Sequence, residues 1–153
     1  MLNKSIEHLK KAIYQLQIAE HLLEVTYPLV KDPKMLISVL SNLEHAQDSI
    51  FEAILPLNLA NADTDFVTKL NSFEDLLRPQ MVLDKGIIKS ISSVHDLLNQ
   101  HKESSVVFSR KKSFVICDDD YSMKKIDEVS VGEYLHNTNK LLKNILTMVE
   151  NND

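Results

Sequence analysis

The sequence predicts an all-α fold, an up-and-down helical bundle of four long helices plus one short helix, with a non-helical extended or hairpin insert at about 105–125. Three observations point there. Apolar residues recur at three- and four-residue intervals over most of the chain, the spacing that lines one side of a helix. Only two glycines occur, Gly86 and Gly132, too few for the positive-φ turns of an all-β protein. Between 106 and 117 the helical period is replaced by VVF and FVI on either side of SRKK, which have strand composition.

The first helix carries Ile6, Leu9, Ile13, Leu16, Leu23 and Val30 on one stripe, and two further positions of that register are Glu20 and Tyr27. Pro28 ends or kinks this helix, because it lacks an N–H and its ring clashes with the carbonyl four residues back. Asp32 and Pro33 read as an N-cap and first helical residue. The second helix places Leu36, Leu40, Leu43, Ala46, Ile50, Ala53 or Ile54, and Leu57 on one face, with Pro56 interrupting it. A connection this short packs the two helices antiparallel as an αα-hairpin. NLANADTD, residues 58–65, is a polar loop in which Asp63 or Thr64 caps a short helix carrying Phe66, Leu70, Phe73 and Leu77. Pro79 breaks that helix. The next starts between Pro79 and Asp84 and carries Ile87, Ile88, Ile91, Val94 and Leu98. Ser130 and Glu133 match a capping box for the last helix, whose stripe is Val131, Leu135, Thr138, Leu142, Ile145 and Val149.

At 153 residues the chain reads as one domain, 1–153, able to bury roughly 68–70% of its unfolded surface. The net charge of −5 makes its long-range field repulsive to nucleic acid and anionic membranes, although a local basic patch can still bind. A single cysteine, Cys117, permits no intramolecular disulfide and fits a cytoplasmic location. The N-terminus interrupts its apolar residues with charge, unlike a signal peptide, and no run approaches the length of a membrane span.

The insert is read as an extended arm or irregular hairpin pinned by Phe108, Phe114 and Ile116, since Ser109 to Lys112 offers no Gly, Asn or Asp for a tight primed turn. Its charges, including Asp118, Asp119 and Asp120, are ordinary solvated surface on one reading. On the other, Arg110, Lys111, Lys112, Tyr121, Lys124 and Lys125 form a grip for phosphate or carboxylate, and so a contact for nucleic acid.

Catalytic spacing is absent elsewhere. A di-metal carboxylate bundle needs paired Glu-x-x-His elements, and only Glu133 and His136 make one, so no metal or cofactor is expected. Glu44, His45, Asp48 and Glu52 share helical spacing and are expected on a solvated or partner-facing surface. His95 and His101 are offset by about 240° on a helix and cannot face one ion. Three carboxylates follow Cys117 and oppose thiolate formation there. Glu20 lies in an apolar register where an unpaired carboxylate costs several kcal/mol, so it either sits at a helix edge, pairs with a neighbour, or serves as a pocket carboxylate for a ligand.

NLEHAQDSIFEAILPL, residues 42–57, follows an amphipathic helix containing Ala12 and Ala19 and resembles the second helix of HEPN domains, through His45, Ala46, Gln47, Ala53 and Leu55. The resemblance covers about the first 57 residues. It implies a helical bundle that dimerises. Many members are RNases using an Arg followed four to six residues later by a His, but neither Arg78 nor Arg110 has such a His, so that chemistry is carried over to no residue. The expectation is a non-catalytic binding protein acting on itself, as a homodimer, or on a protein partner. The alternative is a diverged RNA- or nucleotide-binding module using the segment 110–125.

Overall fold

The computed structural model describes residues 2–56, 64–77, 83–104, 106–110, 113–117 and 122–151. The chain is mostly helical. Helix α1 (Leu2–His21) passes through a π turn (Leu22–Thr26) into α2 (Tyr27–Val30); α3 (Met35–Ile54), α4 (Phe66–Leu77) and α5 (Lys85–Glu103) follow, then strands β1 (Val106–Arg110), β2 (Ser113–Cys117) and β3 (Met123–Asp127), and α6 (Glu128–Asn151). Leu57, Asp63 and Pro79, to which the sequence assigns an apolar contact, a cap and a break, lie outside the described residues.

The π turn is how the first helix absorbs Pro28. In a regular α-helix the Pro28 ring would meet the Glu24 carbonyl. Here the Tyr27 N–H bonds to the Leu22 carbonyl five residues back, which widens the turn ahead of the proline, and the helix continues. It ends at Lys31, in the left-handed region at φ 57°, whose N–H bonds to the Tyr27 carbonyl at 2.7 Å. The buried stripe runs through Leu9, Ala12, Leu16, Ala19, Leu23 and Tyr27. Ile6 and Val30, expected on it, are exposed.

Helices α1 and α3 run antiparallel, since Ser5 Oγ donates to the Ala53 carbonyl (2.8 Å) and Ser49 Oγ to Gln15 Oε1 (3.0 Å), so one residue number rises as its partner's falls. The same argument applies to α5 and α6. Lys140 Nζ reaches Asp84 at 2.7 Å, and Asn137 Nδ2 donates to Ser90 Oγ at 2.7 Å. Helix α3 is the central element: Leu36, Leu40, Leu43, Ala46 and Ile50 are fully buried, and so are Gln47 and Phe51 to within about a percent. Phe51 packs on Phe73 of α4 with ring centroids 4.7 Å apart, a tilted pair worth roughly 0.5–1.5 kcal/mol beyond its buried area.

The caps lie at residues slightly different from those expected. Asp32 accepts from the Lys34 N–H and opens α3. Asp65, rather than Asp63 or Thr64, accepts from the N–H and hydroxyl of Thr68 and starts α4. Asp84 caps α5 through the Ile87 N–H at 2.8 Å. Asp127 caps α6 by accepting from the Ser130 N–H at 2.8 Å, so Ser130 lies inside the helix that its capping box was expected to begin.

The insert is a three-stranded antiparallel sheet in the order β1-β2-β3. Arg110 pairs with Ser113, leaving only Lys111 and Lys112 between β1 and β2. The sequence did not anticipate β3, and the insert ends at Asp127 instead of about 125. Phe114 and Ile116 of β2 join the helical core with their β3 neighbour Ile126. Val115, on the opposite face of β2, is buried as well.

Candidate functional site

The basic cluster proposed from sequence falls only partly among the described residues. Lys111, Lys112 and Tyr121 lie outside them. Arg110 and Lys124 are set apart by the ladder, since β2 lies between their strands. Arg110 pairs with Ser113 and Lys124 with Ile116. Lys125 pairs with Val115 and so has the parity opposite to its neighbour Lys124.

Beside β3 there is a groove. It encloses about 380 Å³ and is lined by Ser93, Asp96 and Leu97 of α5, by Met123, Lys124 and Lys125 of β3, and by Tyr134 of α6. Lys124, Lys125 and Asp96 are exposed, and Leu97 is buried at its base. Among the described residues, no hydrogen bond or ion pair engages the Ser93 hydroxyl, the Asp96 carboxylate, the Lys124 ammonium or the Tyr134 phenol. Charges of both signs thus line one concavity without an ion pair among the described residues. Lys124 and Lys125 are the residues of the basic segment that belong to this groove. The others were missed because they come from three elements, and no local spacing connects them.

Glu20 is exposed, and the buried position of that turn is taken by Ala19. It lies off the buried stripe, as the helix-edge alternative had it, because small alanines at 12 and 19, not the larger aliphatic residues alone, mark the face of α1 that approaches α3. The pocket-carboxylate reading depended on burial and falls with it.

The row Glu44, Asp48 and Glu52 on α3 corrects the expected solvated surface: all three are half-buried, although His45 beside them is exposed. His95 Nδ1 lies 3.5 Å from Glu44 Oε2, and its ring stacks on Phe66 at 3.6 Å and 9°. His8 Nδ1 lies 3.1 Å from Glu52 Oε2 without hydrogen-bond alignment. Burial first, and the Glu44 charge second, push the Asp48 carboxyl above the usual carboxylate range, with Lys69 opposing. The row is a seam joining α1, α3, α4 and α5. Among the described residues no group of three or more His, Cys, Asp and Glu side chains is placed to hold a metal ion. Glu133 and His136 are both exposed. His101 packs at 5.7 Å from the Phe114 ring, so it anchors the sheet to α5. Cys117 is half-buried, and its carbonyl accepts from Ser104 Oγ at 2.9 Å. No helix among the described residues is long and apolar enough to cross a membrane.

Comparison with protein-family models, with curated proteins and with solved structures gives no match.

Proposed function

We propose that the chain is a small, non-catalytic, cytoplasmic binding module that acts by protein–protein contact, in the first instance with a second copy of itself. The observation that carries this reading is the cluster of large apolar side chains left in water around the π turn and α2. Val25 is 48% exposed, Leu29 80% and Val30 56%. Covering Leu29 alone is worth roughly 1.5–3 kcal/mol. Exposed Glu24 and Asp32 alternate with exposed Lys31 and Lys34 along the same segment. A two-fold arrangement can therefore set each sign against its opposite. Mass measured by light scattering across a concentration series tests the reading. It predicts a dimer that Leu29→Glu converts to monomer with helical content unchanged, and a chain monomeric at every concentration refutes it.

The helices support an up-and-down bundle, four long helices with α4 as the short one, through the antiparallel pairings of α1 with α3 and α5 with α6. HEPN kinship, in which dimers are common, is part of the same proposal. Its support is the His-Ala-Gln stretch on α3, where Ala46 and Gln47 are buried and His45 is exposed. The second reading, an RNA- or nucleotide-binding module, rests on the exposed Lys124 and Lys125. It predicts RNA binding that weakens steeply with salt. Absence of binding at low salt removes it.

A further inference from the structure

We propose that the open edge of β3 is a docking strip for an extended, acidic segment of a partner protein, which adds to the sheet as a further strand in the groove beside α5 and α6. The proposal deepens the reading of a protein-binding module but uses a different surface from the one around Leu29.

Three observations lead to it. The groove is lined by three consecutive strand residues, Met123, Lys124 and Lys125. Successive strand residues face opposite sides of a sheet, so a groove that touches all three meets the strand along its edge, where unpaired backbone groups lie. Strand β3 is also terminal in the order β1-β2-β3, and no backbone hydrogen bond from another described element reaches its outer side. The facing wall, Ser93, Asp96, Leu97 and Tyr134, comes from helices and leaves a space whose polar side chains have no hydrogen-bond or ion-pair partner among the described residues. Such an edge is the template for strand addition, in which main-chain hydrogen bonds give affinity and alternate side chains give selectivity.

Charge identifies the occupant. A second copy pairing antiparallel about Lys125 would set that lysine against its own counterpart, and a centre at Lys124 would do the same there. Like charges directly opposed destabilise a ladder, and lysines on an edge are a usual defence against self-pairing. An acidic strand gains from the same two lysines. Asp96 limits the pattern: acidic residues belong opposite Lys124 and Lys125, with an uncharged or basic residue against Asp96. The five residues of β3 match a segment of about five residues, roughly 17 Å long.

Fluorescence anisotropy with a labelled hexapeptide of valines carrying two adjacent glutamates at its centre, one for Lys124 and one for Lys125, tests the proposal. Two further versions are N-methylated at alternate residues, each blocking one edge of the peptide, and a lysine–valine peptide and homopolymeric RNA complete the set. The glutamate–valine peptide is expected to bind, one N-methylated version to lose at least tenfold in affinity and the other to keep it, and the lysine–valine peptide and RNA to bind at least tenfold more weakly. Lys124→Glu with Lys125→Glu is expected to lower peptide affinity at least tenfold with an unchanged circular dichroism spectrum. The N-methyl comparison uses the unaltered chain, so it stands even if that variant misfolds. No binding at millimolar peptide, equal binding of the two N-methylated versions, RNA as the tighter ligand, or a dimer that depends on β3 would each overturn the proposal. Because Leu29→Glu leaves the groove untouched, peptide capture and self-association succeed or fail separately.

Discussion

Gln47 offers a sharp test of how the core is held together. It is 1% exposed on α3, and its Nε2 donates to Thr138 Oγ1 of α6 at 3.1 Å. Thr138 in turn donates to the Tyr134 carbonyl at 2.8 Å, while Gln47 Oε1 is buried without a partner. Replacing Gln47 by methionine of similar volume removes a hydrogen bond worth about 0.5–1.5 kcal/mol and also an orphaned acceptor costing about 1–3 kcal/mol. The net expectation runs from neutral to about 2 kcal/mol of stabilisation. Thr138→Val does the opposite: it strands the Gln47 amide donor and costs about 1–3 kcal/mol. The double variant should resemble Gln47→Met alone, so the cycle gives a coupling energy of about 1 kcal/mol or more between the two sites. Urea unfolding followed by circular dichroism measures all four corners, and in a chain of this size each kcal/mol moves Tm by about 2–4 °C. If Gln47→Met destabilises by more than about 2 kcal/mol, Oε1 is satisfied in solution and the reasoning is wrong.

Asp48→Asn should stabilise, because it removes two like-charge contacts one turn away, to Glu44 and Glu52, each worth about 0.2–0.5 kcal/mol, less what Lys69 returns. Since the folded carboxyl holds its proton to higher pH than the unfolded one, wild-type stability should fall as pH rises from the ordinary carboxylate range through the raised value. The Asn variant should lack that slope in pH-dependent unfolding. Lys31→Gly, at a left-handed position, should gain about 1 kcal/mol in the same assay, and a loss would show that the Lys31 side chain contributes more than its backbone costs. Asp127→Ala, which uncaps α6, should cost about 1 kcal/mol, and no loss of Tm would show that another group caps the helix. Asp84, held below the usual carboxylate range first by the Lys140 ammonium and then by the Ile87 N–H, contributes stability above the unfolded carboxylate pKa that is lost as pH falls through its own lower value. Asp84→Asn should therefore flatten the acid limb of the stability profile.

Much of the helical pattern was legible because burial on a helix repeats with a local period. The stripes of α3, α4 and α5 can be read from Leu40, Phe73 and Ile91 outward. What failed was information that is not local. The local period extends the stripe of α1 to Ile6 and Val30, but both lie beyond the packed stretch from Leu9 to Tyr27 and are exposed. The register left Glu20 open between a helix edge, a paired position and a pocket, because Ala19 looks weak in a hydrophobicity pattern although it is fully buried. Strand β3 was invisible in MKKID, where only Ile126 is buried and its place is set by pairing with Phe114 in β2. The groove shares that cause, since Asp96, Lys124 and Tyr134 come from separate elements.

The junction of β3 and α6 explains why a poorly patterned strand is held in place at all. No residue separates Asp127 from Glu128, and Asp127 closes the strand while capping the helix. Ile126 and Val131, on either side of the junction, are buried to within about a percent, so strand and helix are anchored in the same core. The direction of β3 is thereby tied to α6, which is itself fixed to α5 by Asn137 and Lys140. The two walls of the groove are thus parts of one packed unit. A strand carried on a flexible connection would have to be ordered when a ligand added to it, at roughly 1–2 kcal/mol per residue of backbone. Here folding has already met that cost, so the hydrogen bonds of an added strand would appear more fully as affinity.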